Sequence, residues 1–274
     1  ELDRRPFAEA LVRAIERAPL ADGFVIGLHA PWGDGKSTVL NFVASALPKR
    51  QIPCIRYNPW RFSDESQMIR GLIKQIITAI GKPIRRPRAL GVKYGDAFST
   101  IVGVCGERVG RATAALAAHI EGDLEQQHDK LVNSMRKAPR RVAVLIDDID
   151  RLDHTEILTL LRIVKACADL PGLVYVLAFD DTVVAEALQA RYAQAPADSG
   201  RRFLEKIVQM PLSLPPADPV ALERKLRAGI DRIVSALGIT LGPSDQDRFD
   251  ELFSNGLRPA IQTPRQVKQY LNAA

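Results

Sequence analysis

The sequence predicts a three-layer α/β fold: one parallel sheet of five strands between two layers of helices, followed by a small all-helical lid. Three observations carry this. Short apolar runs such as "GFVIGLHA", "VAVLID" and "GLVYVLAFDD" alternate with stretches of helical spacing, the pattern of strands buried on both faces with helical crossovers between them. Right-handed crossovers then bring every strand's C-terminal end to one edge. The loop at residues 30–37, Asn58, Asp147–Asp150 and Asp180 all follow such ends, so the chemistry-bearing residues converge. From Asp218 onward the periodicity is helical only.

In chain order, "RPFAEALVRAIERA" spaces Phe7, Leu11 and Ile15 as an amphipathic helix. "GFVIGLHA" is the first strand, and "STVLNFVASAL" the helix after it. "IPCIRYNPW" is a second strand ended by Pro59, and "SQMIRGLIKQIITAI" a helix. Residues 82–130 are rich in Gly, Ala and Arg, and their apolar stretches are broken by Lys93, Asp96, Glu107, Arg108 and Arg111. No unbroken apolar run there approaches the roughly 20 residues that cross a bilayer, so the segment reads as an insertion of loops and one or two helices. "RRVAVLIDDIDRL" is a fully apolar strand ending in acids. In "DHTEILTLLRIVKAC", Asp153 is placed to cap a helix with Glu156 three residues on. "GLVYVLAFDD" is the fourth strand, and the prolines of "KIVQMPLSLPP" put the fifth at an edge. Residues 1–217 are therefore expected to form the core domain, with 82–130 inserted in it, and 218–274 the lid.

Composition narrows the function class. The chain has 274 residues, 46% hydrophobic and 26% charged, enough for one large α/β domain with a real core. It starts without Met and carries no signal-peptide pattern, and it reads as part of a longer protein. Cys54, Cys105 and Cys167 are scattered and odd in number, which argues against a disulfide framework or zinc site and for a reducing, cytoplasmic compartment. His29, His119, His128 and His154 have no metal-ligand spacing. The net charge of +6 suits polyanionic partners, nucleic acid among them. No aromatic residues interleave with the basic clusters as a single-strand platform requires.

"HAPWGDGKST" (His29–Thr38) carries the central motif. Gly35, Lys36 and Ser37 end a G-x-x-x-x-G-K-[ST] phosphate loop whose first glycine is replaced by Ala30. Pro31 biases its predecessor toward extended backbone, which alanine adopts without strain. Gly33 and Gly35 let the chain wrap closely around phosphates, so Pro31, Trp32, Gly33, Asp34, Gly35, Lys36, Ser37 and Thr38 form the expected nucleotide cradle. Lys36 would reach the β- and γ-phosphates, Ser37 would offer its hydroxyl to Mg²⁺, and Thr38 would lie near the α-phosphate. Asp34, an acid in a phosphate loop, is expected to point to solvent or to an arginine. Asp147 ends "VAVLID" as a Walker B aspartate for Mg²⁺, and Asp148 is placed to polarise the attacking water. Asp150 and Arg151 read as catalytic, as contacts to a neighbouring subunit, or as a pair at a helix start. Asp180 fits a sensor of the γ-phosphate or the cap of the next helix.

"PWGDGKST", "NPW" at Asn58–Trp60, "LIDDIDRL", "VLAFD", "FLEKIVQMPLSLP" and "TPRQVKQYLN" together resemble the KAP family of P-loop NTPases over nearly the whole chain. The resemblance implies an ATPase core of the STAND/AAA-like branch, sheet order 5-1-4-3-2, a helical lid, and Arg265 as a sensor-like arginine near the phosphates. Read locally, Arg265 follows Pro264 at a helix start, where it could form a salt bridge instead. The NTPase branch with a strand between Walker A and Walker B usually has Glu where Asp148 stands, one methylene longer. Many family members carry transmembrane helices between the two motifs, which the charged 82–130 segment does not match. Bacterial members resemble modules of phage defence or signalling.

Three functions compete at this level: a Mg²⁺-dependent ATPase that switches or assembles a larger complex, a nucleic-acid-stimulated motor or loader, and a nucleotide-binding scaffold with little turnover. ATP is favoured over GTP because no N-K-x-D motif follows the core. Arg4, Arg5 and Pro6 could lie beside the base or solvate a helix start. Arg201 or Arg202 could act in trans on a neighbour's nucleotide in a homo-oligomer, or serve as surface charge.

Overall fold

The computed structural model describes residues 2, 4–62, 64–81, 132–133, 135–136, 140–167, 170–191, 198–240 and 242–273. The 82–130 insertion lies outside the described residues. The core elements are α1 (Arg4–Arg17), β1 (Phe24–His29), α2 (Lys36–Ala46), β2 (Cys54–Tyr57), α3 (Glu65–Gly81), β3 (Val142–Ile146), α4 (His154–Ala166), β4 (Leu173–Phe179), α5 (Asp181–Arg191), α6 (Ser199–Glu205) and β5 (Met210–Ser213). Three further helices follow: α7 (Pro219–Ala236), α8 (Pro243–Leu252) and α9 (Pro264–Ala273).

All strand pairings are parallel, in the order β2-β3-β4-β1-β5. This is the 5-1-4-3-2 arrangement that the family resemblance implied. β5, with Pro211 in it, is an edge strand, where a residue without an N–H costs no ladder bond on the open side. Every residue of β3 and β4 is buried, as expected of central parallel strands covered on both faces.

The two-residue period of the strands divides the core. Val142, Val144 and Ile146 join α3, α4 and α5 on one face, through Leu72, Ile76, Leu161 and Val184. Ala143 and Leu145 join α1 and α2 on the other, through Leu11, Ile15, Val39 and Val43. α4 begins on the capping box read from the sequence: Asp153 accepts from the N–H groups of Thr155 and Glu156, and Glu156 accepts from that of Asp153.

α7, α8 and α9 surround a separate small core of Leu222, Leu226, Phe253 and Val267, with Ala217 at its base. α7 and α9 approach closely at Gly229, where a Cβ would displace the end of the Leu271 side chain. That approach sets where α9 can lie, and its N-terminal end comes down on the loop after β1. Among the described residues no helix is long and apolar enough to cross a membrane.

Candidate functional site

The loop between β1 and α2 is shaped by its glycines. Gly33 and Gly35 have φ of +99° and +97°, a region closed to most side chains. Ala30 is not among the residues with positive φ. Its N–H donates to the carbonyl of Phe179 on β4 and its own carbonyl accepts from Lys36. A glycine is therefore unnecessary at the loop's first position, and the substitution leaves the loop intact.

The first turn of α2 presents Lys36, Ser37 and Thr38 to a cleft of about 500 Å³. Lys36 Nζ donates to the carbonyl of Ala30 (2.8 Å) and lies 3.2 Å from Asp150 Oδ2. Ser37 faces the Asp147 carboxylate across the floor, where its hydroxyl favours the ionised form of the acid. Burial raises the pKa of Asp147 above the ordinary carboxylate value; the Ser37 hydroxyl opposes this, and the charge of Asp148 adds to it. A cation placed opposite would favour the ionised form.

Asp148 sits in left-handed backbone at φ 59°, a conformation that costs a non-glycine residue roughly 1–2 kcal/mol. Its side chain is held on both oxygens. Asn58 Nδ2 donates to Oδ2 at 2.8 Å, and Arg151 Nε pairs with Oδ1 at 2.7 Å. Asn58 in turn accepts from the N–H of Trp60, and the Arg151 guanidinium lies 5.2 Å from the centre of the Trp60 ring. The "NPW" and "DDIDR" segments are thus one network, joined across the neighbouring strands β2 and β3. Sequence reading placed both at the same edge without assigning this contact.

The lid closes the cleft from above. Arg265 stacks over Trp32 of the loop, 4.5 Å from the ring centre, and Lys225, Lys268 and Asn272 also line the cleft. Lys225 and Lys268 escaped the sequence reading. Their only signal was position: Lys225 lies one turn from the buried Leu222, and Lys268 directly follows the buried Val267.

Other expected site residues fall elsewhere. Asp34 was expected to point to solvent or to an arginine; it is 7% exposed, which removes the first alternative. Arg4 of α1 lies beside it: its buried guanidinium donates to the main-chain carbonyls of Asp34 (2.8 Å) and Pro215 (2.5 Å), pinning the loop to the chain leaving β5. Arg4 is thereby a clamp on the loop, not a solvated helix start. Neither Pro31 nor Asp34 lines the cleft. Asp180 caps α5, accepting from the N–H and hydroxyl of Thr182, and is not among the cleft-lining residues. Arg201 pairs with Asp181 of the same chain, which also accepts from the half-buried His29 ring.

Replacing Arg4 by Met should lower stability by about 2 kcal/mol, since two carbonyls lose charge-assisted donors. Thermal unfolding would check it, and an unshifted midpoint would remove the clamp.

Comparison with known proteins agrees with this geometry. The model of the KAP family P-loop domain matches residues 4–274. The chain is 22% identical over 303 aligned positions to the "Phage T7 exclusion protein" of Escherichia coli (strain K12), covering 97% of this chain and 40% of that protein. The chain thus spans about two fifths of the length of the curated relative it matches. Among solved structures it is similar to the ORC2 protein of Aeropyrum pernix, with 18% identity, 82% of this chain and 51% of that chain covered, and a TM-score of 0.43. It is likewise similar to a DNA replication initiation factor, with 13% identity, 98% and 60% covered, and a TM-score of 0.43. Matched by that family model from residue 4 to residue 274, this chain belongs to the KAP family of P-loop domains.

Proposed function

We propose that the cleft binds ATP with Mg²⁺ and hydrolyses it, and that the turnover drives a switch or assembly step in a larger protein. One observation carries the reading: Lys36, the Ser37–Asp147 pair and Asp148 meet at the N-terminus of α2 beneath a basic lid. A helix N-terminus with close-wrapping backbone favours phosphate, and Lys225, Arg265 and Lys268 add positive charge from the opposite wall.

The hydroxyl of Ser37 and the carboxylate of Asp147 are hard oxygen donors that suit Mg²⁺. Among the described residues no group of three or more His, Cys, Asp or Glu side chains could hold an ion alone. Ser37 and Asp147 would hold the ion together with the nucleotide, and the ion would supply charge neutralisation of the phosphates. Asp148 orients the attacking water. Its two oxygens already accept from Asn58 and Arg151, yet a carboxylate keeps lone pairs for a further donor. Arg265, poised on Trp32, turns to the phosphates as the lid settles. Similarity to the phage exclusion protein supports a role in phage defence for the larger protein.

The test is ATP hydrolysis with Mg²⁺ and with EDTA, alongside a nucleotide titration of tryptophan fluorescence. The chain's two tryptophans, Trp32 and Trp60, are both exposed; Trp32 lines the cleft and Trp60 packs on Arg151, which also lines it. Mg²⁺-dependent phosphate release and a saturable fluorescence change are expected, and absence of both would defeat the reading. Turnover that rises only on adding DNA would move the function to a nucleic-acid loader.

A further inference from the structure

Asp150 has no part in the reading above, yet it holds the residue on which that reading depends. Its carboxylate pairs with Lys36 at 3.2 Å, and the two side chains are 11% and 8% exposed. The remaining contacts of the ammonium are to main-chain carbonyls of Ala30 and Pro31. Lys36 therefore cannot move its charge onto a phosphate without withdrawing it from Asp150.

The neighbouring charges show what that withdrawal does. Asp148 is compensated by Arg151 and Asn58, neither of which is shared with Lys36 or Asp150. Asp147 accepts from the N–H of Asp148 at 3.0 Å and faces the hydroxyl of Ser37, but it has no cationic partner among the described residues and feels the charge of Asp150 through space. With Lys36 paired to Asp150, the floor carries little excess negative charge. With Lys36 drawn to a phosphate, Asp150 faces Asp147 without its counter-ion.

We propose that Asp150 is the resting counter-ion of Lys36, and that exchanging Lys36 from Asp150 to phosphate couples nucleotide binding to divalent-cation binding. Asp150 competes with metal-free nucleotide for Lys36. Once released, its charge strengthens the attraction for a cation at Ser37 and Asp147. By linkage, the factor by which the metal tightens nucleotide binding equals the factor by which nucleotide tightens metal binding. The inference rests on the nucleotide-binding reading and extends it.

The experiment is calorimetric titration of ADP, which avoids turnover, into the wild-type chain, Asp150→Asn and Asp150→Glu, each in EDTA and in excess MgCl₂. Asp150→Asn should bind ADP in EDTA roughly three- to tenfold more tightly than wild type. Its coupling factor, the Kd in EDTA over the Kd in Mg²⁺, should fall by roughly tenfold. Asp150→Glu keeps the charge and should keep the coupling factor within roughly threefold, a result that a packing role would not produce. Thermal unfolding of the free variants checks the fold, and Asp150→Ser carries the same comparison if the Asn variant does not fold. An unmoved coupling factor overturns the exchange. So does weaker metal-free binding by Asp150→Asn, which would make Asp150 a residue that steers Lys36 toward phosphate. No ADP binding by wild type in either buffer overturns the nucleotide reading and the exchange together.

Discussion

Lys36→Ala should reduce ATP affinity by at least a hundredfold and bring hydrolysis to background. The ammonium is the one side-chain charge delivered from within the phosphate loop, and it reaches the cleft from the first residue of α2. Two charge-assisted hydrogen bonds to phosphate are worth about 3 kcal/mol together, or about two decades of affinity. A second loss has the same sign: without Lys36, Asp150 stands near the phosphates with its charge uncompensated. That also affects the fold, since removing one partner of a fully buried pair costs about 3–5 kcal/mol. The figure is smaller here because the pair borders an open cleft. Unfolding of the free variant should accompany the binding measurement, and Lys36→Ala/Asp150→Asn should recover the stability without recovering hydrolysis. Equal ATPase activity of wild type and Lys36→Ala would sink the proposed function.

Asp148→Asn should keep nucleotide affinity within about threefold while hydrolysis falls by roughly a hundred- to a thousandfold, the span that a positioned general base contributes. The substitution leaves shape and removes the charge. It also mismatches the network, because the new amide can offer only one oxygen to the two donors of Asn58 and Arg151. Oxygen toward Arg151 and NH₂ toward Asn58 requires the Asn58 amide to turn over, and then Asn58 no longer accepts from Trp60. Binding and turnover must therefore be measured on the same preparation, with Trp60 fluorescence reporting whether the network has shifted. Normal turnover would show that Asp148 acts only as a fixed charge. Weakened binding would place it in the nucleotide cradle.

Much of the fold and part of the site are legible in the amino-acid sequence alone. The alternation of apolar runs with helical spacing encodes the sheet, because strands buried on both faces need apolar residues at every position. The capping box at Asp153 and Glu156 is a local device whose partners are three residues apart, and it forms as the spacing predicts. The convergence of the loop, Asp147, Asp148 and Asp150 follows from parallel strands and right-handed crossovers. Ala30 is tolerable for a reason written in the sequence, Pro31 behind it, and the positive φ values fall on the two glycines downstream.

What tertiary structure alone decided are the contacts between residues far apart in the chain. The main chain at Asp34 is held by Arg4, thirty residues earlier, which the packing of α1 on α2 carries to the loop. Asp180 stands at a strand end like Asp147, yet the geometry of α5 turns it to a cap. Asn58 and Arg151 hold Asp148 because β2 and β3 are neighbours, although 84 residues separate them. Lys225 and Lys268 line the cleft because the close approach of α7 and α9 at Gly229 brings both helices over the loop. Periodicity records which face of an element is buried. The identity of the residue across the gap depends on how the faces meet, and Asp150 opposite Lys36 is the instance with the largest consequence for the chemistry.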